Sequence, residues 1–183
     1  APVEVVHGST VATNALLERT GARTAFVTTA GFEDLLVIKR QNRRELYNLF
    51  GRCTPPLVDA DYVIGIPERT LFDGSIEKPL SKKVTEHLAR QLHTLGVESV
   101  AVCLLHSYAN FAHEQQIGKA LGEFFVSLSH ELLPEYREFE RASTTVVNAY
   151  VSPKMGRYLH QLDDTLGTAC LRVFQSNGGS VPA

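Results

Sequence analysis

At 183 residues, with 44% hydrophobic and 21% charged side chains, the chain is long enough to bury a hydrophobic core and too apolar to be disordered. Its formal net charge of −2 gives no basic surface for nucleic acid, and no apolar run approaches the roughly 18 to 20 residues of a membrane span. We therefore expect neither nucleic acid nor a membrane among its partners.

The three cysteines, Cys53, Cys103 and Cys170, are odd in number and far apart, which fits neither a disulfide framework nor a Cys-x-x-Cys metal site. We expect reduced thiols in a cytoplasmic protein, with Cys103 as a small core residue inside an apolar run. The seven histidines form no spaced pair backed by acids, so the sequence predicts no built-in metal site.

The first predicted elements are a strand at 3–6 and a helix that begins near Ser9 or Thr10, and the polar segment His7–Asn14 spans the turn between them. A helix start leaves backbone N–H groups unpaired and carries a partial positive charge, so an anion could bind there. The alternative is that Ser9 and Thr10 only cap the helix while His7 bonds the backbone.

A strand at 23–28 and a short helix or turn at 32–38 follow, and they lead into a polar cluster at 39–44. Guanidinium and amide groups bind carboxylate and carbonyl edges with defined geometry. The candidate substrate-binding residues of this cluster are Arg40, Gln41 and Asn42. The alternative interpretation is a solvated loop.

Pro55-Pro56 marks a predicted division of the chain into residues 1–54 and 55–183, which could also form one compact domain. Beyond this point, Asp73-Gly74 predicts an antiparallel hairpin. The strands that flank this pair are expected at 62–72 and 75–76.

After Pro79 the pattern alternates between helices and strands. The predicted elements are a helix capped by Ser81 and ending at Gly96, a strand at 99–105, a helix capped by Asn110 with Phe111, Ile117, Leu121 and Phe124 facing inward, and a strand at 125–128. This β-α-β alternation predicts an α/β fold with a mixed, largely parallel sheet covered by helices and one antiparallel hairpin.

His106 and Ser107 end the predicted strand at 99–105, and they could form an acid–base or nucleophile pair. A serine hydrolase needs an acidic third member, which the spacing does not identify, so this function is disfavoured. His113-Glu114 is expected in the first turn of the helix that follows.

A long helical pattern covers 138–166, with a break or kink predicted at Ser152-Pro153. Ser143 and Thr144 lie near its start, within a run of small polar residues that is costly in a helix. They are candidate substrate-binding residues, and capping of the helix start is the alternative.

The last predicted strand, at 171–174, is followed directly by amides and glycines. Ligands of open α/β sheets bind at the carboxyl ends of strands, and glycine lets a backbone approach them closely. The candidate cofactor-binding residues are Gln175, Ser176, Asn177, Gly178 and Gly179. An ordinary strand-ending turn is the alternative.

Five colinear blocks of the sequence resemble the hydantoinase A/oxoprolinase family. They cover 7–32, 40–43, 101–108, 140–151 and 175–179. The family includes ATP-dependent hydantoinases, 5-oxoprolinases and the ATP-using subunits of acetone and acetophenone carboxylases. Departures from its usual pattern are Ser9, Lys39, Phe111 and Phe174, where threonine, glycine, proline and methionine are common.

The resemblance implies an actin-like ATPase architecture, with ATP and Mg²⁺ as cofactors and a small cyclic amide or ketone as substrate. The residues that match the motif of the first loop, and are expected to be catalytic, are His7, Thr10, Thr13 and Asn14. Because the glycine-rich phosphate loop of the family is missing from the sequence, we expect the chain to be part of a longer protein. Its further lobes or a partner subunit would complete the site, in a homo- or hetero-oligomer.

Three functions stay open at this point, two of them implied by the resemblance. The first is ring opening of hydantoin or 5-oxoproline through phosphorylation of the carbonyl oxygen. The second is ATP-dependent carboxylation of a ketone. The third is a scaffold or subunit-contact domain with no site of its own.

Overall fold

The structure of the chain, a computed structural model, describes residues 4–42, 47, 54–166, 170–174 and 178–182. The strands are β1 (Glu4–His7), β2 (Thr24–Thr29), β3 (Val63–Ile66), β4 (Arg69–Thr70), β5 (Ile76–Lys78), β6 (Ser99–Cys103), β7 (Phe125–Leu128), β8 (Cys170–Phe174) and β9 (Ser180–Pro182). The helices are α1 (Val11–Leu17), α2 (Leu35–Ile38), α3 (Lys82–Leu95), α4 (Ala112–Ala120), α5 (Ser129–Leu132) and α6 (Glu138–Leu166), with a 3-10 turn at Ala60–Tyr62. The chain divides into two compact units, Arg23–Tyr150 and Ala1–Ala22 with Val151–Ala183.

A parallel sheet in the order β3-β2-β6-β7 forms the centre of the larger unit, Arg23–Tyr150. β2 and β6 are buried along their whole length because helices cover both faces of the sheet. On one face Val27 belongs to a core with Leu88 of α3 and Ile117 of α4, and on the other Phe26 belongs to a core with Val146 of α6. The predicted α/β fold with a largely parallel sheet is confirmed.

Local signals set the ends of α3 as predicted. Ser81 is the N-cap residue in extended conformation, although its side chain makes no capping hydrogen bond, and Gly96 ends the helix in the left-handed region with φ of +62°. Glycine reaches this conformation without the steric cost that a Cβ brings, so it commonly terminates helices.

The hairpin at Asp73-Gly74 is confirmed, but it is shorter than expected. β4 and β5 pair antiparallel, and Gly74 has φ of +82° in the turn. The first part of the predicted strand, Val63–Ile66, instead pairs parallel with β2. Pro67 explains the division, because proline lacks the N–H that would continue the sheet ladder.

The inward face of α4 differs from the expectation at its start. Asn110 Oδ1 accepts the Ala112 N–H at 3.1 Å, but the N-cap residue of α4 is Phe111, one position later than predicted. Phe111, however, lies before the first turn and is 46% exposed, stacked on His130 with ring centroids 4.8 Å apart. The buried positions of the first turn are taken by His113 and Glu114.

In the smaller unit, Ala1–Ala22 with Val151–Ala183, β1 pairs parallel with β8, and β8 pairs antiparallel with β9. Helix α6 runs through Pro153 without the predicted break. A proline removes one hydrogen bond, to the carbonyl four residues earlier, and the remaining turns of this long helix are retained. The bounds of these two units are not those of the predicted division between residues 54 and 55. The β1–β8 pairing places segments from both ends of the chain in one unit.

Candidate functional site

The segment His7–Asn14 begins at the carboxyl end of β1 and continues into α1. His7 is half-buried, and its Nε2 atom lies 2.6 Å from the Tyr158 hydroxyl, which fixes the orientation of the imidazole. Ser9 Oγ accepts the Val11 N–H at 3.2 Å. Ser9 therefore performs the helix-start role that the capping alternative describes.

The other candidates in this loop face solvent. Thr10 is the N-cap residue of α1, yet its side chain makes no capping hydrogen bond. Thr10, Thr13 and Asn14 are all exposed, whereas Ala15 is fully buried. Capping thus accounts for Ser9 and leaves the hydroxyl and amide groups of the three exposed residues available to a ligand.

The terminal turn lies at the same edge of the smaller sheet as the His7–Asn14 loop. β1 and β8 are parallel neighbours with His7 opposite Val173, so both strands end there. Gly178, with φ of +88°, and Gly179 precede β9 and are exposed. Gln175, Ser176 and Asn177 lie outside the described residues. The topology therefore brings the His7–Asn14 segment, Gly178 and Gly179 to one edge of this sheet.

Arg40 is joined to the first turn of α6. Its Nε and Nη2 atoms both donate to Glu140 Oε1. The backbone N–H of Glu140 itself, and then Arg40, hold the pKa of the Glu140 carboxyl below its usual value. Gln41, with φ of +57°, and Asn42 are exposed. Of the three substrate-binding candidates in this cluster, the structure thus places Arg40 beside the start of α6.

Two of the three hydroxyl side chains in the run 143–145 donate hydrogen bonds to backbone carbonyls of α6. Ser143 Oγ donates to the Phe139 carbonyl, and Thr145 Oγ1 donates to the Arg141 carbonyl at 2.7 Å. Such bonds to the preceding turn satisfy hydroxyl groups inside helices. Thr144 is exposed. Ser143 and Thr144 therefore lie about one turn after Glu140, the partner of Arg40, and Ser143 is already hydrogen-bonded.

His106 and Ser107 do not form a pair. His106 has φ of +56°, and its Nδ1 atom lies 3.4 Å from the Tyr108 hydroxyl. Ser107 Oγ instead lies 3.0 Å from Ser129 Oγ, in the buried region beyond β6. A Ser–His nucleophile is therefore not assembled here.

Sequence reasoning missed a buried hydrogen-bond network around Glu114. This fully buried carboxylate accepts the Leu104 N–H at 2.9 Å, Ser129 Oγ at 2.7 Å, and both the backbone N–H and Nδ1 of His130. Burial raises the pKa of the carboxyl, but these hydrogen bonds outweigh it and hold the pKa below its usual value. One signal was visible, since Glu114 shares helical spacing with the apolar Ile117 and Leu121.

A second buried network joins Thr29, Glu68 and His113. The Leu80 N–H donates to His113 Nε2 at 3.2 Å, so the ring proton resides on Nδ1, which donates to Glu68 Oε2 at 2.6 Å. Thr29 Oγ1 donates to the other oxygen of Glu68 and accepts the Leu105 N–H at 3.0 Å. Both ring nitrogens of His113, both carboxylate oxygens of Glu68 and the Thr29 hydroxyl thus have partners, which indicates a structural role for this network.

Arg141 is fully buried at the carboxyl end of β6. Its Nη1 and Nη2 atoms donate to the carbonyls of Glu135 and Leu104, each at 2.7 Å. Cys103 is also buried, as predicted, and burial raises the pKa of its thiol to about 11. Cys103 is therefore a protonated core residue rather than a nucleophile. Cys53 lies outside the described residues.

The described part of the chain contains neither a cluster of metal-binding side chains nor a membrane-spanning helix. There, no three histidine, cysteine, aspartate or glutamate residues are grouped so that they could hold a metal ion. Within the same residues, no helix is long and apolar enough to cross a membrane.

Comparison with protein families gives two matches that together cover most of the chain. A family model described as the hydantoinase/oxoprolinase N-terminal region matches residues 2–125. A second model, described as hydantoinase/oxoprolinase, matches residues 141–183.

Individual relatives give the same result. The chain is 38% identical to the caprolactamase subunit alpha of Pseudomonas jessenii, covering 97% of this chain and 27% of the relative. It is 33% identical to the 5-oxoprolinase of Saccharomyces cerevisiae (95% and 16%) and 32% identical to the acetophenone carboxylase gamma subunit of Aromatoleum aromaticum (81% and 23%). The chain thus spans about a quarter or less of the length of these relatives.

A solved structure shares the fold. The crystal structure of the ATP-dependent caprolactamase from Pseudomonas jessenii superposes with a TM-score of 0.88 at 35% identity, over 98% of this chain and 27% of that chain. The mixed α/β arrangement described above therefore also occurs in this experimentally determined structure.

Proposed function

Because the chain belongs to the hydantoinase/oxoprolinase family, we propose that it is part of a protein that uses ATP to open the ring of a small cyclic amide. The ATP-dependent caprolactamase and the 5-oxoprolinase among its relatives support this activity, since a lactam and 5-oxoproline are both cyclic amides. Because the chain spans only part of those relatives, it would contribute some of the residues of a larger site.

The observation that carries this proposal is the shared edge of β1 and β8. The His7–Asn14 loop and the turn that contains Gly178 and Gly179 both leave the carboxyl ends of these neighbouring parallel strands. This is the edge at which α/β sheets bind ligands. We assign nucleotide binding to residues 175–179 and the catalytic contacts to His7, Thr10, Thr13 and Asn14.

In this assignment, ATP would supply a phosphoryl group to the amide carbonyl oxygen of the substrate, with ADP as the leaving group. His7, held in place by Tyr158, would bind or transfer a proton at Nδ1, the ring nitrogen that Tyr158 does not contact. The exposed side chains of Thr13 and Asn14 would orient the ligand by hydrogen bonds. The substrate-binding candidates Arg40, Gln41, Asn42, Ser143 and Thr144 remain part of the proposal.

Magnesium fits this proposal as an ion carried on the nucleotide. Mg²⁺ in nucleotide sites is held by substrate phosphates, water and one or two protein oxygens rather than by a full protein cage. The exposed hydroxyls of Thr10 and Thr13, beside β1, are oxygens that could serve as such ligands. We further propose that the protein is cytoplasmic. Other lobes or a partner subunit would complete its site, in an oligomer.

The activity is tested with the full-length protein, by measuring ATP hydrolysis and ring opening with ε-caprolactam, hydantoin and 5-oxoproline. His7→Gln and Asn14→Ala are each expected to lower kcat by about 100-fold. Glu18→Gln, an exposed change at the far end of α1, is the matched control and should leave kcat unchanged. If the protein hydrolyses ATP and opens the ring with none of the three amides, the proposal is contradicted.

The same experiment separates two other functions. ATP-dependent carboxylation of a ketone is supported by the similarity to the acetophenone carboxylase gamma subunit, and it would appear as turnover that requires bicarbonate and acetophenone or acetone. A scaffold without its own site would appear as His7 and Asn14 variants that keep kcat but change the oligomeric state in size-exclusion chromatography with light scattering.

A further inference from the structure

Helix α6 contacts the chain on both sides of α1 through two side chains that are one turn apart. The Tyr158 hydroxyl lies 2.6 Å from His7 Nε2, before α1, and Lys154 Nζ donates to Thr20 Oγ1 at 2.8 Å, beyond the end of α1. Residues four positions apart lie on the same face of a helix. One face of α6 therefore holds both ends of the segment that contains α1.

The contact with Tyr158 leaves one ring nitrogen of His7 for a ligand. The two rings are tilted by 44° with centroids 5.8 Å apart, so they are joined through the hydroxyl and are not stacked. His7 Nδ1 has no hydrogen-bond partner in the part of the chain that the structure describes. What His7 does for a ligand thus depends on whether Nδ1 carries a proton.

The hydrogen bond between Tyr158 and His7 indicates where that proton lies. The lone pairs of a phenol oxygen are delocalised into its ring, whereas the unprotonated nitrogen of a neutral imidazole is a strong acceptor, so the hydroxyl is the better donor. Among the described residues, the Tyr158 hydroxyl has no other hydrogen-bond partner that competes for its proton. When Nε2 accepts from Tyr158, the proton of neutral His7 lies on Nδ1.

The loop around His7 offers donors and no carboxylate. The segment His7–Asn14 contains no acidic residue, and the side chains of Thr10, Thr13 and Asn14 are exposed. Hydroxyl and amide groups can all donate hydrogen bonds. An Nδ1–H beside them belongs to a set of neutral donors, which suits the oxygens of a phosphoryl group.

We propose that Tyr158 is a positioning residue that keeps the proton of neutral His7 on Nδ1, so that His7 donates a hydrogen bond to a phosphoryl oxygen and does not act as a base. This inference rests on the proposed function and narrows it, because that function leaves His7 either to bind the ligand or to transfer a proton. The phosphoryl oxygen belongs to ATP or to the phosphorylated amide, and the test separates these two sources.

Two amide substitutions of His7 distinguish a donor from a base. The asparagine amide reaches the position of imidazole Nδ1, whereas the glutamine amide reaches that of Nε2. In the full-length protein, His7→Asn keeps a donor at the Nδ1 position and should lower kcat by less than about tenfold, against about 100-fold for His7→Gln. Because an amide cannot take up a proton near neutral pH, equally large losses in both variants would show that His7 is a base and overturn the proposal.

Tyr158→Phe tests whether Tyr158 acts through His7. It removes only the hydroxyl and should lower kcat about tenfold, because the proton of His7 can then move to Nε2. In the His7→Asn protein, whose amide lies away from Tyr158, the same change should alter kcat by less than about twofold. Equal losses in both backgrounds would show a purely structural role for Tyr158 and overturn the proposal.

Lys154→Ala is the matched control for Tyr158→Phe. It removes the other contact of the same face of α6, the hydrogen bond to Thr20, without touching His7. It should change kcat by less than about twofold. A tenfold loss in this variant would show that anchoring of α1, and not the proton position on His7, is what the Tyr158 hydroxyl provides.

Calorimetry with the non-hydrolysable nucleotide AMP-PNP identifies the acceptor and requires no turnover. If the phosphoryl oxygen belongs to ATP, His7→Gln should weaken AMP-PNP binding about tenfold and His7→Asn less. If it belongs to the phosphorylated amide, both variants should bind AMP-PNP as the wild type does, while kcat falls in His7→Gln. A His7→Gln protein in which neither quantity changes would overturn the proposal.

The outcomes also separate this inference from the proposed function. Ring opening of a cyclic amide with equal losses in His7→Asn and His7→Gln would overturn the donor role and leave the function intact. AMP-PNP binding that is weakened by His7→Gln more than by His7→Asn, in a protein that opens no cyclic amide, would support the donor role and contradict the function.

Discussion

Glu114 is a buried carboxylate whose two oxygens accept four hydrogen bonds from Leu104, Ser129 and His130. Replacing it with glutamine places an amide donor where an oxygen now accepts. We expect Glu114→Gln to lower the free energy of unfolding at pH 7 by about 1–3 kcal/mol, because donors at the strand ends lose their acceptor. Urea unfolding followed by circular dichroism measures this change.

The same variant should flatten the acid limb of the stability profile. The pKa of folded Glu114 lies below the ordinary value of 4.5, so its ionised form stabilises the fold above about pH 4.5. That contribution is lost as the pH falls through the folded-state pKa, and glutamine cannot titrate. Asp73→Asn is the comparison variant: the pKa of Asp73 is also lowered, by its hydrogen bonds to Ser75, but the residue is exposed, so this variant should flatten the acid limb less than Glu114→Gln does. An unchanged acid limb in Glu114→Gln would contradict this role.

Single residues of this network could be suspected from the sequence, but their partners could not. An acid at helical spacing with Ile117 and Leu121 is visible as a pattern. Its hydrogen bonds to Leu104 and His130 depend on how β6, α4 and α5 meet in the fold. Glu68 and His113 are likewise 45 positions apart in the sequence, and nothing local relates them.

At the scale of elements, two glycines that follow helices, Gly96 after α3 and Gly122 after α4, form a matched pair for mutation. Gly96 ends α3 with φ of +62°, and a Cβ there would make only an ordinary contact of 3.5 Å with Arg23. We expect Gly96→Ala to lower the free energy of unfolding by about 1 kcal/mol, from backbone strain alone. Thermal and urea unfolding measure it.

Gly122 supplies the control for that prediction. It lies beyond α4 without a positive φ, and a Cβ there would meet nothing within 4 Å. Gly122→Ala should therefore change the stability by less than about 0.5 kcal/mol. A similar loss in both variants would show that the cost at Gly96 does not come from its left-handed conformation.

Element types were predictable where the signal is local, as at Ser81, Gly96 and Asp73-Gly74. The errors fall where tertiary context decides. Helix α6 tolerates Pro153 because the turns on either side remain hydrogen-bonded, and Phe111 is displaced outward because His113 and Glu114 occupy the buried positions. A hydrophobic pattern alone does not distinguish these cases.

At the scale of the whole molecule, the candidate site depends on a pairing that no local pattern contains. β1 and β8 are joined in register, Glu4 opposite Cys170, although they lie at opposite ends of the chain. The sequence predicted that each loop follows a strand. It could not show that the two strands are neighbours, and this pairing is what brings the His7–Asn14 loop and the terminal glycines to one edge.

The hydrophobic cores lie almost entirely within one of the two units. Both core clusters are made of residues between Ala25 and Ala149. Among the described residues, the buried ones outside Arg23–Tyr150 are Ala15, Ala22, Pro153 and Leu171. Burial of apolar surface is the main favourable term in folding, so most of it is available to the larger unit by itself.

We therefore expect a polypeptide of residues 23–150 to fold without the terminal segments. It should show a cooperative thermal transition by circular dichroism and dispersed methyl signals in NMR, because β2, β6 and the helices that cover them remain in it. Leu88→Ala in this polypeptide should cost about 2–5 kcal/mol, as expected when a large side chain is removed from a packed core. A polypeptide that stays unfolded would show that the larger unit requires the paired chain ends for its stability.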